Sequence, residues 1–520
     1  MAEKKATILW VDDEIDLLKS QIMFLEERGY SVRPASNGED AVGLVKSEPF
    51  DLVLLDQMMP GLDGLSTLVR IKEADPSVPV VMITKMEEEG LIDEALRKRI
   101  DDFLLKPVNP VQILSAARRI LEGKEIRERE LSREYVEDFN AIEGLRHQAS
   151  SWEDWLNIHL KLSEWSLVLD GFPDSGLMQS LVDQRRQCNV EFSMYVEKAY
   201  RDWARDKERP PLSVDVVAAF VAPHLSAHRR VFFIIIDCLR LDQWLAIEPM
   251  LEPYYSIKRD HYYSILPTAT PYSRNAIFAG LFPSEIAADY PQYWDETGSD
   301  EIGKNRFEKP LLDRQLKKMG IRVSPSTKYL KIYTADEAIL ARKQVPTLQS
   351  LPLVAMVFNF VDIVAHSRSE SVVLQEMLPD ESAYRTFTKS WFMHSPLFDI
   401  LKAISGQDVT VVVTTDHGSV LGRKSAVALG DRETSTNVRY KFGTNLNCDE
   451  RQAVRVKDPL EFKLPPGGVN KNYIIAKEDY YFVYPTNFHE YERHYKHSFQ
   501  HGGISMEEMI LPCATMTPKR

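Results

Sequence analysis

Along residues 1–120, short apolar runs alternate with stretches of helical periodicity. The runs predict strands at Thr7–Val11, Ser31–Pro34, Leu52–Leu55, Val80–Ile83 and Phe103–Leu105. Strands separated by amphipathic helices imply a parallel sheet covered on both faces. From Asn109-Pro110, where a capping residue precedes a proline, the pattern turns helical and stays so to about Gly144, through the highly charged Lys124–Arg133. A second helix is predicted from Ser151, whose Ser-Trp-Glu-Asp start is capping-box-like, to just before Gly171-Phe172-Pro173. A third runs from about Ser175 to Lys207, and Arg209-Pro210-Pro211 reads as a linker. Helices without strand signals between them predict an antiparallel bundle. After it the alternation returns on a larger scale, with buried strands at Val231–Ile236, Leu353–Phe360 and Val409–Thr415. Residues 285–310 and 420–470, rich in Gly, Asn, Asp and Pro, read as loop excursions. The expected architecture is two α/β parts flanking a helical bundle, divided at 1–123, 124–208 and 209–520.

Length and composition sharpen this picture only a little. At 520 residues the chain exceeds one ordinary core, and two to four domains are expected. No apolar run reaches the roughly 18 residues of a membrane span. The start, MAEKKATILWVDDE, has no signal-peptide pattern. Four scattered cysteines, Cys188, Cys238, Cys448 and Cys513, fit reduced thiols and a cytoplasmic location. A net charge of −13 argues against non-specific binding to duplex nucleic acid, yet leaves a nucleotide substrate open where metal ions dominate the local field.

Polar residues cluster after the predicted strands. In the first 120 residues these are Asp12-Asp13, Asp56, Thr84 and Lys106. Carboxyl ends of parallel strands line one crevice, so the side chains converge. A divalent cation bridging Asp13 and Asp56 removes their repulsion and neutralises an incoming phosphoryl group. Asp56 then attacks phosphorus, Lys106 pairs with the phosphoryl oxygens, and the Thr84 hydroxyl hydrogen-bonds to them. Through ILWVDDE, LVLLDQMMPGLDG, VMITK and FLLKP, residues 5–122 resemble the receiver domain of two-component response regulators. That resemblance implies a flavodoxin-like fold and a sensor histidine kinase as partner. It also implies Mg²⁺ held by Asp13, Asp56 and the Met58 carbonyl with Asp12 assisting, and Thr84 and Phe103 as a switch pair.

In the C-terminal part, Asp237 ends VFFIIID, Asp362 follows FNF, and Asp416-His417 ends VVVTTDHG. Asp362 and His366 are four apart, so a helical turn would set them on one face. Carboxylates with imidazoles suit zinc, with a hard-ion share that also admits manganese, and two metals about 4 Å apart can serve a phosphoesterase. The attacking oxygen is expected to be the Thr270 hydroxyl in ILPTATPYSRNAIF, near a helix N-terminus, with Thr268 and Ser273 as rivals. Asn275 is a candidate donor to a phosphate oxygen. Of His489, His494, His497 and His501, one is needed as a ligand.

In order and wording, IIIDCLRLDQW, TATPYSRNAIFAG, FNFVDIVAHSR, VVVTTDHG and FQHGGISMEEMILP resemble the PglZ branch of the alkaline phosphatase superfamily, over roughly residues 212–520. The resemblance implies an alkaline-phosphatase-like α/β domain with two Zn²⁺. One would be held by Asp237, Thr270, Asp416 and His417, the other by Asp362, His366 and His501. The phosphate-clamping arginine of monoester-cleaving relatives has no clear counterpart, which favours diesters. Receiver, bundle and PglZ domain together are similar to response regulators of the type IX secretion system. This implies control of secretion through a sensor kinase and a phosphodiesterase acting on linear or cyclic oligonucleotides. A helix running on from the receiver leads to the separate expectation of a phosphorylation-dependent homodimer, with secretion-system or transcription proteins as further partners. A non-catalytic nucleotide- or partner-binding scaffold and a phosphomonoesterase are the alternatives. No helix-turn-helix or basic C-terminal region points to direct reading of DNA.

Overall fold

The computed structural model describes residues 6–84, 100–205, 208–294, 305–348, 350–430, 437–466 and 470–519. The chain divides into two compact units, Met1–Val136 and Glu137–Arg520.

In the first unit, β1 (Ala6–Val11), β2 (Tyr30–Ala35), β3 (Leu52–Asp56), β4 (Val80–Thr84) and β5 (Asp102–Leu105) form one parallel sheet in the order β2-β1-β3-β4-β5. The period of two decides which residue serves which face. Leu9, Val11, Val53 and Leu55 pack in one layer, and Ile8, Trp10, Leu52 and Leu54 in the other. All eight are fully buried, which is why these strands read as continuous apolar runs. The order reverses between β1 and β3, so a crevice opens there at the carboxyl ends.

The second unit begins with helices. The helix that starts at Pro110, within the first unit, runs to Gln148, four residues past the expected end. The next, α1 (Trp152–Asp170), is capped as predicted: the Asp154 amide donates to Ser151 Oγ and the Ser151 amide to Asp154 Oδ2. The third, α2 (Leu177–Trp203), starts two residues late because Pro173–Ser175 forms a separate turn ended by Gly176 at φ +71°.

The six-stranded sheet contains β6 (Val231–Ile236), β7 (Tyr255–Tyr263), β8 (Lys328–Ile332), β9 (Leu353–Phe358), β10 (Thr410–Thr414) and β11 (Ile510–Pro518). Four neighbours, β10-β6-β9-β8, are parallel. The sheet as a whole is mixed, because β11 runs antiparallel to both β10 and β7. Strand β7, YSIKRDHYY, is a polar edge strand without the apolar signature of its buried neighbours. Residues 420–470 are more than a loop excursion. Tyr440–Thr444 and Ala453–Val456 pair antiparallel with Lys471–Ala476 around Ala426, Leu446, Ile474 and Phe482. Strands of four or five residues between Asn- and Gly-rich turns are too short for a period to register. Of the stretch 285–310, Pro283–Asp289 and Glu308–Lys318 are helical, and residues 295–304 lie outside those described.

Helix α2 is part of the wall of the C-terminal half. The Leu266 amide donates to Tyr200 Oη (2.8 Å), Asn189 Nδ2 to Glu507 Oε2 (2.9 Å) and the Met506 amide to Asn189 Oδ1 (2.8 Å). Below these lies a buried ionic cluster. Arg240 binds Asp242 (2.7 Å) and Glu381 (2.8 Å), Arg385 binds Asp242 (3.0 Å) and Asp170 (2.7 Å), and Arg185 lies 3.4 Å from Glu381.

Next to this cluster His159 is buried in α1, and neither ring nitrogen has a hydrogen-bond partner among the described residues. Burial, reinforced by the Arg185 charge, pushes its pKa down to about 3. The folded imidazole is therefore neutral, while the unfolded one protonates below about 6.5. The unfolded state then binds the extra proton, so stability falls as pH drops from 6.5 toward 3, by about 1.4 kcal/mol per unit at most. Urea unfolding at pH 7, 6 and 5 is expected to show this loss for wild type, and a shallower pH slope for His159→Phe.

Candidate metal and phosphoryl-transfer sites

In the first unit the crevice gathers Asp12, Asp13, Asp56 and Lys106. Asp12, Asp13 and Asp56 each place a carboxylate oxygen within 4.8 Å of the others. The Lys106 ammonium bridges Asp12 Oδ2 (2.9 Å) and Asp56 Oδ2 (3.0 Å). Burial raises the Asp56 carboxyl above its ordinary value, against the pull of Lys106. Gly64 is required here, since a Cβ would sit 2.5 Å from the Asp56 carbonyl oxygen. Thr84 closes β4 above the crevice, Phe103 is 39% exposed on β5, and Met58 directs its side chain to solvent.

The second centre sits at the carboxyl ends of β6, β9 and β10. Asp237 follows β6, Asp416-His417 follow β10, and Asp362 and His366 lie on the helix Phe360–Ser367. His501 follows the short strand Phe499–Gln500, which pairs with Val420–Leu421 beyond β10. Two ligand-like groups result: Asp237, Asp416 and His417, and Asp362, His417 and His501. His366 Nε2 lies 2.9 Å from His501 Nε2 and 3.3 Å from Asp362 Oδ1, so it joins the second group. The rings of His417 and His501 stack at 4.2 Å.

Among the hydroxyls, geometry separates Thr270 from its rivals. Thr270 is the first residue of the helix Thr270–Ala279, and its Oγ1 is 2.9 Å from His417 Nε2. Thr268 Oγ1 donates to the Gly503 carbonyl, and Ser273 Oγ pairs with Ser264. Asn275 Nδ2 donates to Pro271 within its own helix, and its Oδ1 faces Asn305.

Sequence reasoning missed the cation of this centre. Arg274 is fully buried one turn after Thr270, donating to Asp237 Oδ2 and, through Nε, to Glu308 Oε1 (2.6 Å). It also lies 3.8 Å from Asp416. Asn359 Nδ2 adds a second bond to Asp237 Oδ2 (2.9 Å). The four-residue spacing from Thr270 was the available signal. Glu308, at the head of a separate helix, carried none.

The donor set fits bound metal. Asp237 Oδ1, Asp362 Oδ1 and both Asp416 oxygens are buried without a hydrogen-bond partner among the described residues, and such oxygens are costly unless a cation takes them. Burial and the Asp237 charge push the Asp416 carboxyl well above the carboxylate range. Burial opposes ionisation of Asp362 too, yet His366 and His501 hold it below that range. Gly418 completes the packing, because a Cβ would run into the Glu507 carbonyl.

Removing Arg274 takes away the guanidinium that faces Asp237, Glu308 and Asp416. Arg274→Met is expected to cost about 3–5 kcal/mol in metal-free protein. Zinc should restore more stability to the variant than to wild type, as read by urea unfolding with and without a chelator.

Family models match three successive parts of the chain. A family model described as the BREX system PglZ alkaline phosphatase-like domain matches residues 216–516. Models of the response regulator receiver domain and of the PorX response regulator linker domain match residues 8–118 and 125–204. Among curated relatives, the transcriptional regulatory protein ResD of Bacillus subtilis (strain 168) is 33% identical over 114 residues, 22% of this chain and 47% of ResD. The alkaline phosphatase synthesis transcriptional regulatory protein PhoP of the same organism is 34% identical over 119 residues, 23% of this chain and 50% of PhoP. The chain thus spans about half the length of these curated relatives. Among solved structures, a CheY-like receiver domain protein from Methanospirillum hungatei JF-1 is 28% identical, covering 24% of this chain and 98% of its own at a TM-score of 0.23. The Thermotoga maritima OmpR/PhoB homolog DrrB is 30% identical, covering 23% and 54% at a TM-score of 0.22. Among the described residues, no helix is long and apolar enough to cross a membrane.

Proposed function

The chain belongs to the family of PglZ alkaline-phosphatase-like domain proteins, arranged as a PorX-like response regulator, and from that premise we propose that it is a zinc-dependent phosphodiesterase controlled by phosphorylation of Asp56. The observation that carries this reading is the Thr270 hydroxyl, 2.9 Å from His417 Nε2 at the junction of two ligand groups. Asp237, Thr270, Asp416 and His417 would hold one zinc ion, and Asp362, His366 and His501 the other. When bound, the pair supplies an activated hydroxyl and charge neutralisation at phosphate.

This chain's residues do the rest. Thr270 Oγ1 forms a bond to phosphorus as the P–O bond to the leaving alcohol breaks, and water then hydrolyses the phosphothreonine. Arg274, with Asn359, fixes Asp237 by its Oδ2 and leaves Oδ1 for metal. Because Arg274 is already committed to Asp237 and Glu308, it does not clamp a dianionic monoester, and diesters are the favoured class. Linear or cyclic oligonucleotides are the proposed substrates. In the receiver, Asp12, Asp13, Asp56 and the Met58 carbonyl would hold Mg²⁺, and a sensor histidine kinase would supply the phosphoryl group. Thr84, Phe103 and Lys106 would report its arrival. The division 1–123, 124–208 and 209–520, a cytoplasmic location and a role in type IX secretion through partner proteins complete the proposal.

With zinc, wild type is expected to cleave bis(4-nitrophenyl) phosphate faster than 4-nitrophenyl phosphate, and Thr270→Ala to lose at least about 10³-fold in kcat. Absence of turnover by zinc-loaded protein, with or without Asp56 phosphorylated, would favour the binding scaffold.

Beryllofluoride with Mg²⁺, a stable mimic of phosphorylated Asp56, is expected to raise both sedimentation coefficient and diesterase activity through a homodimer. No change in either quantity rejects that mode of control.

A further inference from the structure

Alternate residues of β8 serve opposite faces of the sheet. Leu330 and Ile332 pack in the layer that contains Phe358. Tyr329 packs in the other, its ring 5.8 Å from that of Phe278 on the helix Thr270–Ala279. Lys331 therefore stands on the Thr270 side of the sheet, one residue short of the carboxyl end of β8. Its Nζ donates to the Asn305 carbonyl (3.2 Å), and Asn305 Nδ2 donates in turn to the Thr270 carbonyl (3.1 Å). Two hydrogen bonds thus separate this ammonium from the backbone of the residue that carries the attacking hydroxyl.

Lys331 and Arg274 share this face, and their situations differ. Arg274 is fully buried and committed to Asp237 and Glu308. Lys331 keeps 16% of its side chain exposed, and its carboxylate neighbour, Glu308 Oε2, lies 3.6 Å away, too far for a good hydrogen bond. Glu308 is already engaged by Arg274 Nε at 2.6 Å and by the Tyr329 hydroxyl. An ammonium has three hydrogens to donate, and the Asn305 carbonyl takes one. The Tyr333 ring, centred 5.5 Å from Nζ, flanks another side. Burial pushes the Lys331 pKa below the ordinary lysine value, opposed by Glu308 and Asp237 and reinforced by Arg274. A cation held in this way is incompletely compensated for its desolvation, and an anion arriving at the carboxyl ends of the strands completes it.

We propose that Lys331 is a catalytic residue of this centre, its ammonium taking a non-bridging oxygen of the phosphodiester while Thr270 attacks phosphorus. The proposal rests on the phosphodiesterase reading and adds to it the protein group that meets the phosphoryl charge. Thr270 Oγ1 gains its bond to phosphorus and the leaving alcohol loses its own, as above; Lys331 neither gives nor takes a proton and supplies charge alone. An ammonium is a point charge suited to one oxygen, where a guanidinium fork suits two. With one non-bridging oxygen turned to the ligand-like residues, a diester has a single oxygen left to offer, which matches a single ammonium.

The test compares Lys331→Gln, which keeps a donor for the Asn305 carbonyl and removes the charge, with Lys331→Arg, which keeps the charge. In zinc-loaded protein, Lys331→Gln is expected to lower kcat/KM for bis(4-nitrophenyl) phosphate at least about 100-fold, and Lys331→Arg to stay within about tenfold of wild type. Calorimetric titration with inorganic phosphate should show at least about tenfold weaker binding to Lys331→Gln. Zinc affinity, read by competition with a chromogenic chelator, should stay within about twofold in both variants, because the ammonium acts on phosphate and not on the ligand-like residues. Unchanged phosphate binding in Lys331→Gln, or zinc affinity that falls together with turnover, overturns the proposal and makes Lys331 a prop for Glu308. Turnover that Lys331→Gln leaves intact rejects the role of Lys331 and keeps the esterase. Lys331-dependent phosphate binding by protein that turns over no diester supports the ammonium as the phosphate ligand and rejects the esterase.

Discussion

Three carboxylates, Asp237, Asp362 and Asp416, are held together in the interior, and everything around them answers their repulsion. Water cannot screen it, because Asp237 and Asp416 are buried and Asp362 nearly so. Two kinds of positive charge are available. Arg274 is built in and neutralises one side of Asp237, together with Glu308. The other must come from solution, and the oxygens left without hydrogen bonds mark where. Imidazoles from three separate segments converge on the same volume, so the site is assembled by the sheet and by no single motif.

Holding such a site requires a stiff surround, and the helical segment supplies part of it. Tyr200 on α2 fixes the backbone just before the Thr270 loop, and Asn189 fixes the turn that follows His501. Between them the Arg185, Arg240, Arg385, Asp242 and Glu381 cluster binds α1 and α2 to the exit of β6. A buried charge cluster contributes little net stability against an apolar core of equal volume, but its members tolerate few alternative arrangements. Geometry, more than stability, is what it supplies.

The sequence made the parallel strands and nearly all the polar residues at their ends legible, because buried strands announce themselves as apolar runs and charged residues rarely follow them without a task. In the receiver crevice Asp12, Asp13, Asp56 and Lys106 were readable for that reason. The parts that were not readable share a physical cause. Strand β7 and the small sheet around Tyr440–Thr444 are edge or short strands, whose alternation is diluted by polar residues and turns. Glu308, Asn305 and Asn359 acquire their roles only by tertiary contact. Arg274 sat in plain view within TPYSRN, hidden because an arginine on a helix is ordinarily a solvated one.

The tie between α2 and the loops before Thr270 and after His501 bears on how such a protein can be assembled from older parts. Pro210-Pro211 looks like a seam, yet a chain cut there would strip Leu266 of its acceptor and take Arg185 from Glu381 (3.4 Å) and Glu507 (3.6 Å). The interface across that seam is an interior, with the same demands as any core. Inheritance of the phosphatase-like half must therefore carry its helices along, and exchange of sensory modules falls naturally on the stretch before residue 137, where the first compact unit ends.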